Sequence, residues 1–307
     1  MILSITQWDK ETEVDRFRER VPLANLVSQY SLSKTDPNSP KPRDLVGPLK
    51  QASQNDQLVI IPECKRTEPA TGSLRKRYDV SKLARSFTLA GASVISVNCD
   101  GILFGGSLDD VAKARTAASA AAVEAMSEDG VIAPRILASD LILYPYQLYK
   151  LRTAGADAVN LVGGSLANKD MTYLAKIASA LQLQVLVTIT SEVQLDALAA
   201  LTPGSIDGVI LSNRELEDFT FDMTGEQALN LLKSKSLAEV KSKHGGDDLP
   251  VLIEGRVGII ERPNDSGELS AMQYLEELKQ AGAMAAIVGG GLVEEGSEIL
   301  QLLETQP

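Results

Sequence analysis

Residues 58–66 read Leu-Val-Ile-Ile-Pro-Glu-Cys-Lys-Arg, an apolar run that stops abruptly at an acid and two bases. A run of this kind suits a strand buried on both faces, and in a parallel α/β barrel the C-terminal ends of such strands carry the chemistry. A lysine among carboxylates at a barrel mouth can act as an acid/base group or a Schiff-base nucleophile. Glu63, Lys65 and Glu254 are the side chains on which that chemistry would rest. The bland alternative is a strand end with solvated charges. Elsewhere the chain offers Lys65 few of the polar groups it would need as partners.

A second stretch with chemical potential lies near the other end, at Ile287-Val-Gly-Gly-Gly-Leu. Gly289, Gly290 and Gly291, together with Gly255, would let backbone N–H groups approach a phosphate closely. A tight turn is the competing reading. His244, the only histidine, stands in Lys-His-Gly-Gly-Asp-Asp, which reads as an exposed loop. Triads and metal sites built on histidine therefore have little to work with. Cys64 and Cys99 are the only cysteines, and without zinc spacing they suggest neither a disulfide framework nor a structural metal.

These groups need a scaffold, and the chain supplies a repeating one. Apolar segments near 58–63, 93–98, 131–137, 157–162, 184–189, 207–211, 250–254 and 284–288 read as strands. Between them run helical patterns over 80–90, 108–126, 146–153, 169–181, 191–201, 225–237 and 270–281, with a last one over 297–303. Short all-apolar strands alternating with amphipathic helices predict a parallel sheet with right-handed crossovers. Eight such units predict a closed (βα)8 barrel, the TIM-barrel fold, rather than an open doubly wound sheet. Ala90-Gly-Ala, Ala154-Gly-Ala and Ala281-Gly-Ala repeat one joint, in which Gly caps a helix in the left-handed conformation. Before the repeat, residues 10–30 carry apolar side chains at helical spacing with Pro22 near a break, and 32–43 form a polar, turn-rich linker. A short helix follows near 44–52. The expected organisation is an N-terminal helical extension over 1–50 and a barrel over 51–307.

Composition narrows the function. With 30 basic against 41 acidic residues, the net charge is −11. Broad binding to nucleic acid or an anionic membrane needs a basic face and is not expected. No apolar stretch is long enough to span a bilayer. The first residues have neither the basic-then-apolar order of a signal peptide nor the Arg/Ser-rich character of a transit peptide.

The order and wording of the chain resemble the indole-3-glycerol-phosphate synthase family, above all its plant and cyanobacterial branch. Trp8-Asp-Lys-Glu-Thr-Glu-Val is similar to the family's N-terminal helix, and Pro42-Arg-Asp-Leu to its entry into the barrel. Glu63-Cys-Lys-Arg-Thr-Glu-Pro-Ala-Thr-Gly resembles its Glu-x-Lys-Lys-x-Ser-Pro-Ser-x-Gly loop. Tyr144-Pro-Tyr-Gln-Leu-Tyr, Gly155-Ala-Asp-Ala-Val-Asn-Leu and Asn213-Arg-Glu-Leu-Glu-Asp-Phe follow later units in the right order. The resemblance implies a ribulose-phosphate-binding type of barrel, a ring-closing decarboxylase (carboxy-lyase) of tryptophan biosynthesis, a phosphorylated small-molecule substrate and no cofactor. It implies a plastid stroma if the source is a photosynthetic eukaryote and the cytoplasm otherwise.

The positions that carry the family's chemistry are only partly kept. Its first-strand acid and lysine stand as Glu63 and Lys65. Its general-acid lysine after strand three is replaced by Ser139, its strand-five glutamate by Thr188, and the first Asn of its Asn-Asn-Arg by Ser212, followed by Asn213 and Arg214. Its Glu-Ser-Gly after strand seven becomes Glu254-Gly255-Arg256. Glu68 takes the place of a serine near the phosphate site, where a carboxylate would repel phosphate unless Arg66 or Arg256 offset it. A positioned general acid or base contributes about 10²–10⁴ in rate, and neither Ser139 nor Thr188 titrates near neutrality. The favoured expectation is thus a non-catalytic binding, assembly or regulatory protein, with a small-molecule ligand or a protein partner. The rival is an active synthase, or altered chemistry on a phosphorylated substrate built on Glu63, Lys65 and Glu254.

Overall fold

The eight apolar segments become eight parallel strands of a closed barrel, β1 (Val59–Cys64), β2 (Val94–Asn98), β3 (Arg135–Ser139), β4 (Ala158–Val162), β5 (Gln184–Ile189), β6 (Gly208–Ser212), β7 (Val251–Glu254) and β8 (Ala285–Val288). The structure, a computed structural model, describes residues 2–69, 72–74, 77–125, 132–215, 218–264 and 267–289. β1 closes the ring by pairing with β8 on one side (Val59 opposite Ala285) and β2 on the other (Glu63 opposite Ser96). Every strand is covered on both faces, which is why each reads as a nearly unbroken apolar run. Alternate residues point inward. Val59, Ile61, Val94, Leu137, Ala158, Leu186, Ile210, Leu252, Ala285 and Ile287 fill the barrel, with Leu45 and Leu49 packed among them.

The helices α4 (Val80–Leu89), α5 (Asp109–Glu124), α6 (Pro145–Ala154), α7 (Asn168–Ala180), α8 (Glu192–Ala199), α9 (Glu226–Leu232), α10 (Lys235–His244) and α11 (Ala271–Gln280) connect the strands. Their starts are set by side chains that accept the first free N–H groups: Asp79 from Lys82, Ser191 from Gln194, Ser234 from Leu237 and Ser270 from Gln273. The three repeated joints behave as expected. Gly91, Gly155 and Gly282 take φ of 89°, 101° and 97°, a left-handed conformation that favours glycine.

Several boundaries differ from the sequence reading. The third strand begins at Arg135 rather than near 131, and ends at Ser139. The single helix expected over 225–237 is two helices, because Ser234 adopts extended backbone and caps a new start. α10 then runs on to His244. That histidine is buried, not in an exposed loop, with Nε2 3.3 Å from the Leu198 carbonyl of α8. Burial lowers its pKa. The predicted helix over 297–303 lies outside the described residues.

Ahead of the barrel, α1 (Ile2–Arg20) and α2 (Leu23–Ser33) break at Pro22, as the spacing predicts, and α2 extends slightly into the expected linker. α3 (Val46–Gln54) follows. Val14 and Leu26 pack with Tyr146 of α6, and Tyr30 meets the Tyr149 ring edge-on at 5.9 Å. The polar linker is pinned by Asp157, which is fully buried. Its carboxylate accepts from Arg43 (2.7 Å), Arg115 (2.9 Å) and the Ile136 N–H (2.8 Å). Removing one partner of a buried ion pair leaves uncompensated charge and costs about 3–5 kcal/mol. Asp157→Ala is therefore expected to lower stability by about that amount, read as a fall in the urea midpoint at unchanged m-value.

Candidate active site

The alternation that fills the barrel also chooses the side chains at its C-terminal mouth. Two residues beyond Ile61 comes Glu63, beyond Leu137 comes Ser139, and beyond Ala158 comes Asn160. Thr188 follows Leu186 and Glu254 follows Leu252 in the same way. These five residues line one cavity of about 930 Å³, measured out to its open rim, together with Lys65, Glu68, Arg214 and Gly289. That is the position expected of a small-molecule site in this fold.

One side of the cavity is a closed ionic cluster. The Lys65 ammonium lies 2.7 Å from a Glu63 oxygen and 3.0 Å from Glu68, and Arg214 donates to the same Glu68 oxygen at 3.0 Å. Burial works against the Lys65 charge, yet Glu63 and then Glu68 outweigh it and raise its pKa, with Arg214 opposing. Burial likewise raises Glu68, but Lys65 and Arg214 overcome it and hold the carboxyl below its ordinary range. Lys65 therefore has polar partners, contrary to the sequence expectation. An ammonium held this firmly is a poor nucleophile. Gly289 makes the arrangement possible, since a Cβ there would stand 2.6 Å from the Glu63 carboxylate. Glu254 is half-buried, and burial followed by the nearby Glu63 raises its carboxyl.

The opposite side is neutral. Asn98, Ser139 and Asn160 stand side by side in register on β2, β3 and β4. The Thr188 hydroxyl donates to the Asn160 Oδ1 at 2.9 Å. Asn160 is a cavity residue that sequence reading missed, although alternation from Ala158 would have found it. Lys10 was missed as well. It is buried, and its ammonium lies 2.8 Å from Asp100, 2.8 Å from Asp140 and 2.7 Å from Glu13. Burial opposes that charge, but Asp140 and Asp100 outweigh it and raise the lysine pKa. Both aspartates line the cavity, so α1 supplies the counter-ion for part of the mouth.

Other predicted site residues go elsewhere. Arg66 is exposed and lies over the Tyr78 ring at 5.0 Å, so Lys65 and Arg214, rather than Arg66 or Arg256, offset Glu68. Ser212 is buried, and its hydroxyl accepts from the Arg214 N–H. Asn213 bonds the Gly255 carbonyl, the Tyr274 hydroxyl and the Ala228 N–H, which makes it a brace behind the mouth. Gly255 and Arg256 line the cavity. Gly290 and Gly291 lie outside the described residues. Among the described residues, no cluster of three His, Cys, Asp or Glu side chains is placed to hold a metal ion, and no helix is long and apolar enough to cross a membrane.

The family profile for indole-3-glycerol phosphate synthase matches residues 4–243. The chain belongs to that family. The indole-3-glycerol phosphate synthase of Rippkaea orientalis is 32% identical over 295 residues, covering 96% of this chain and 86% of the relative. That of Crocosphaera subtropica is 31% identical over 294 residues, covering 96% and 85%. That of Acaryochloris marina is 31% identical over 305 residues, covering 99% and 86%. In this chain the end of β1 presents the charged pair Glu63 and Lys65, and the ends of β3 and β5 present the neutral Ser139 and Thr188.

The raised Glu254 carboxyl gives a pH test. A folded-state pKa above the ordinary 4.5 means that the folded protein holds the proton more tightly. Stability is then lost as pH climbs from the ordinary value through the folded one. Glu254→Gln is expected to be more stable than wild type at about pH 7, with the gap closing as pH falls below the ordinary carboxyl range. Thermal unfolding across that pH series measures it.

Proposed function

We propose that this synthase-family barrel, an extension over 1–50 on a barrel over 51–307, binds a small ligand at its mouth without running the family's ring closure at the family's rate. The observation that carries this reading is the state of the proton-transfer positions. Ser139 and Thr188 are neutral hydroxyls, and the Thr188 proton is already donated to Asn160. The one lysine lining the cavity among the described residues is Lys65, bound between two carboxylates. The Glu68 carboxylate stands where Lys65 and Arg214 converge, so it occupies from within the place an anionic substrate group would take. A role in an assembly, or in a plastid, belongs to the same proposal.

A second reading, residual synthase activity, is favoured by the retained Glu63–Lys65 pair and by 32% identity over nearly the whole chain to a synthase. Turnover separates the two. Purified protein is expected to convert 1-(2-carboxyphenylamino)-1-deoxyribulose 5-phosphate to indole-3-glycerol phosphate at no more than about 10⁻³ of the rate of a homologue with the intact set. Ser139→Lys with Thr188→Glu should recover part of the rate, and adding Glu68→Ser should recover more by releasing Lys65 and Arg214. Wild-type turnover near the homologue's rate would establish the second reading.

A further inference from the structure

The neutral side of the mouth carries a pattern of donors with nothing to receive them. Asn98, Ser139 and Asn160 stand in register on β2, β3 and β4, so their Cα positions span two strand spacings, about 10 Å. With Thr188 they line the cavity, and each of the four is at least nine-tenths buried. Both amide oxygens are already engaged. Asn98 Oδ1 accepts from the Asp100 N–H at 3.2 Å, and Asn160 Oδ1 accepts from the Thr188 hydroxyl at 2.9 Å. Those two bonds orient the amides and leave their Nδ2 groups as the open ends. Among the described residues, neither Nδ2 group has an acceptor, and the Ser139 hydroxyl between them has no partner. These atoms open to the cavity rather than being sealed beneath it.

Polar groups this far from bulk water are normally paired, so the wall is complete only when an oxygen-bearing group fills it. Charge limits what that group is. Lys10, the cation behind this side, faces three carboxylates, Glu13, Asp100 and Asp140. An anion placed here would meet an excess of negative charge. A flat aryl ring against the wall would leave both amides unpaired. A hydroxyl, in contrast, accepts and donates at once. A short chain of hydroxylated carbons can accept from Asn98 and Asn160 and share a hydrogen bond with Ser139 between them.

We infer that the β2–β4 wall of the mouth is a polyol subsite, which takes an uncharged, hydroxyl-rich segment of the ligand, such as a sugar or sugar alcohol, and disfavours an aryl group. The inference rests on the reading of the mouth as a ligand cavity and names the class of ligand the cavity takes.

The test titrates full-length protein with ribitol and, separately, with benzyl alcohol, two uncharged probes, and follows the shifts of backbone amide resonances. Wild type is expected to bind ribitol about tenfold or more tightly than benzyl alcohol, because a site built to hydrogen-bond its ligand rejects one that leaves its donors unpaired. Asn98→Leu combined with Asn160→Leu keeps the side-chain size and removes both donors, and should reverse the preference. Asn98→Ser keeps an oxygen for the Asp100 N–H and loses only the amide donor. It should weaken ribitol about tenfold at unchanged benzyl alcohol affinity, and it decides the matter if the double variant does not fold. Amides with a merely structural role would lower the urea midpoint when replaced and leave the ratio of the two affinities unchanged. Binding of neither probe to wild type, a wild-type preference for benzyl alcohol, or an unaltered ratio in Asn98→Ser overturns the inference. The functional reading falls separately, if turnover reaches the rate of an intact homologue.

Discussion

A barrel of parallel strands has no free edge, so the backbone groups of β1 must find partners on β8 as well as on β2. That closure fixes the register of all eight strands, and register fixes which side chain of each pair faces inward. Below the mouth the inward positions are aliphatic and fill the interior. At the last inward position of each strand there is no further layer above, and the side chain meets solvent or a ligand. The cavity wall is therefore a consequence of closure: Glu63, Ser139, Asn160, Thr188 and Glu254 share it because each sits one alternation beyond the core, and Asn98 sits two beyond Val94.

Charges taken into such a wall must be compensated, since the cost of desolvating an unpaired ion is several kcal/mol. The protein meets this demand internally. Glu68 is the pivot, since one of its oxygens is in contact with both Lys65 and Arg214. In a cavity that receives an anionic substrate, two converging cations would be left for that substrate to neutralise. Here a side chain of the same chain does so. The chemistry available at the mouth is set by this carboxylate and by the neutral β3–β5 side.

The extension is part of the same electrostatic solution. Lys10 reaches from α1 into the gap between Asp100 and Asp140, which follow β2 and β3, and is buried there. Without that ammonium two carboxylates would face the cavity uncompensated. Gln7 adds a bond to the Ser165 carbonyl beyond β4, and Thr6 lines the cavity itself. α1 is thus one wall of the site, while Asp157 holds the following linker against the opposite end of the barrel through Arg43 and Arg115.

Local chemistry made much of this legible from residue order. Apolar strands alternating with helical patterns determined a closed eight-unit barrel, because only burial on both faces calls for such strands. Ala-Gly-Ala joints determined left-handed caps, because a residue without Cβ is suited to that backbone. The Glu63–Lys65 strand end determined where the mouth chemistry sits. Pairing across the barrel was not legible. That Glu68 meets Arg214 146 positions away and that Lys10 meets Asp140 130 positions away are decided by the closed barrel, which brings distant segments within hydrogen-bond distance. For the same reason His244 read as exposed from its glycine- and acid-rich neighbours, whereas packing of α10 on α8 buries it. Sequence fixes which groups are available and the period with which they turn inward. Which of them share a dielectric environment, and so which charges cancel and which remain, depends on distances that exist only once the barrel is closed.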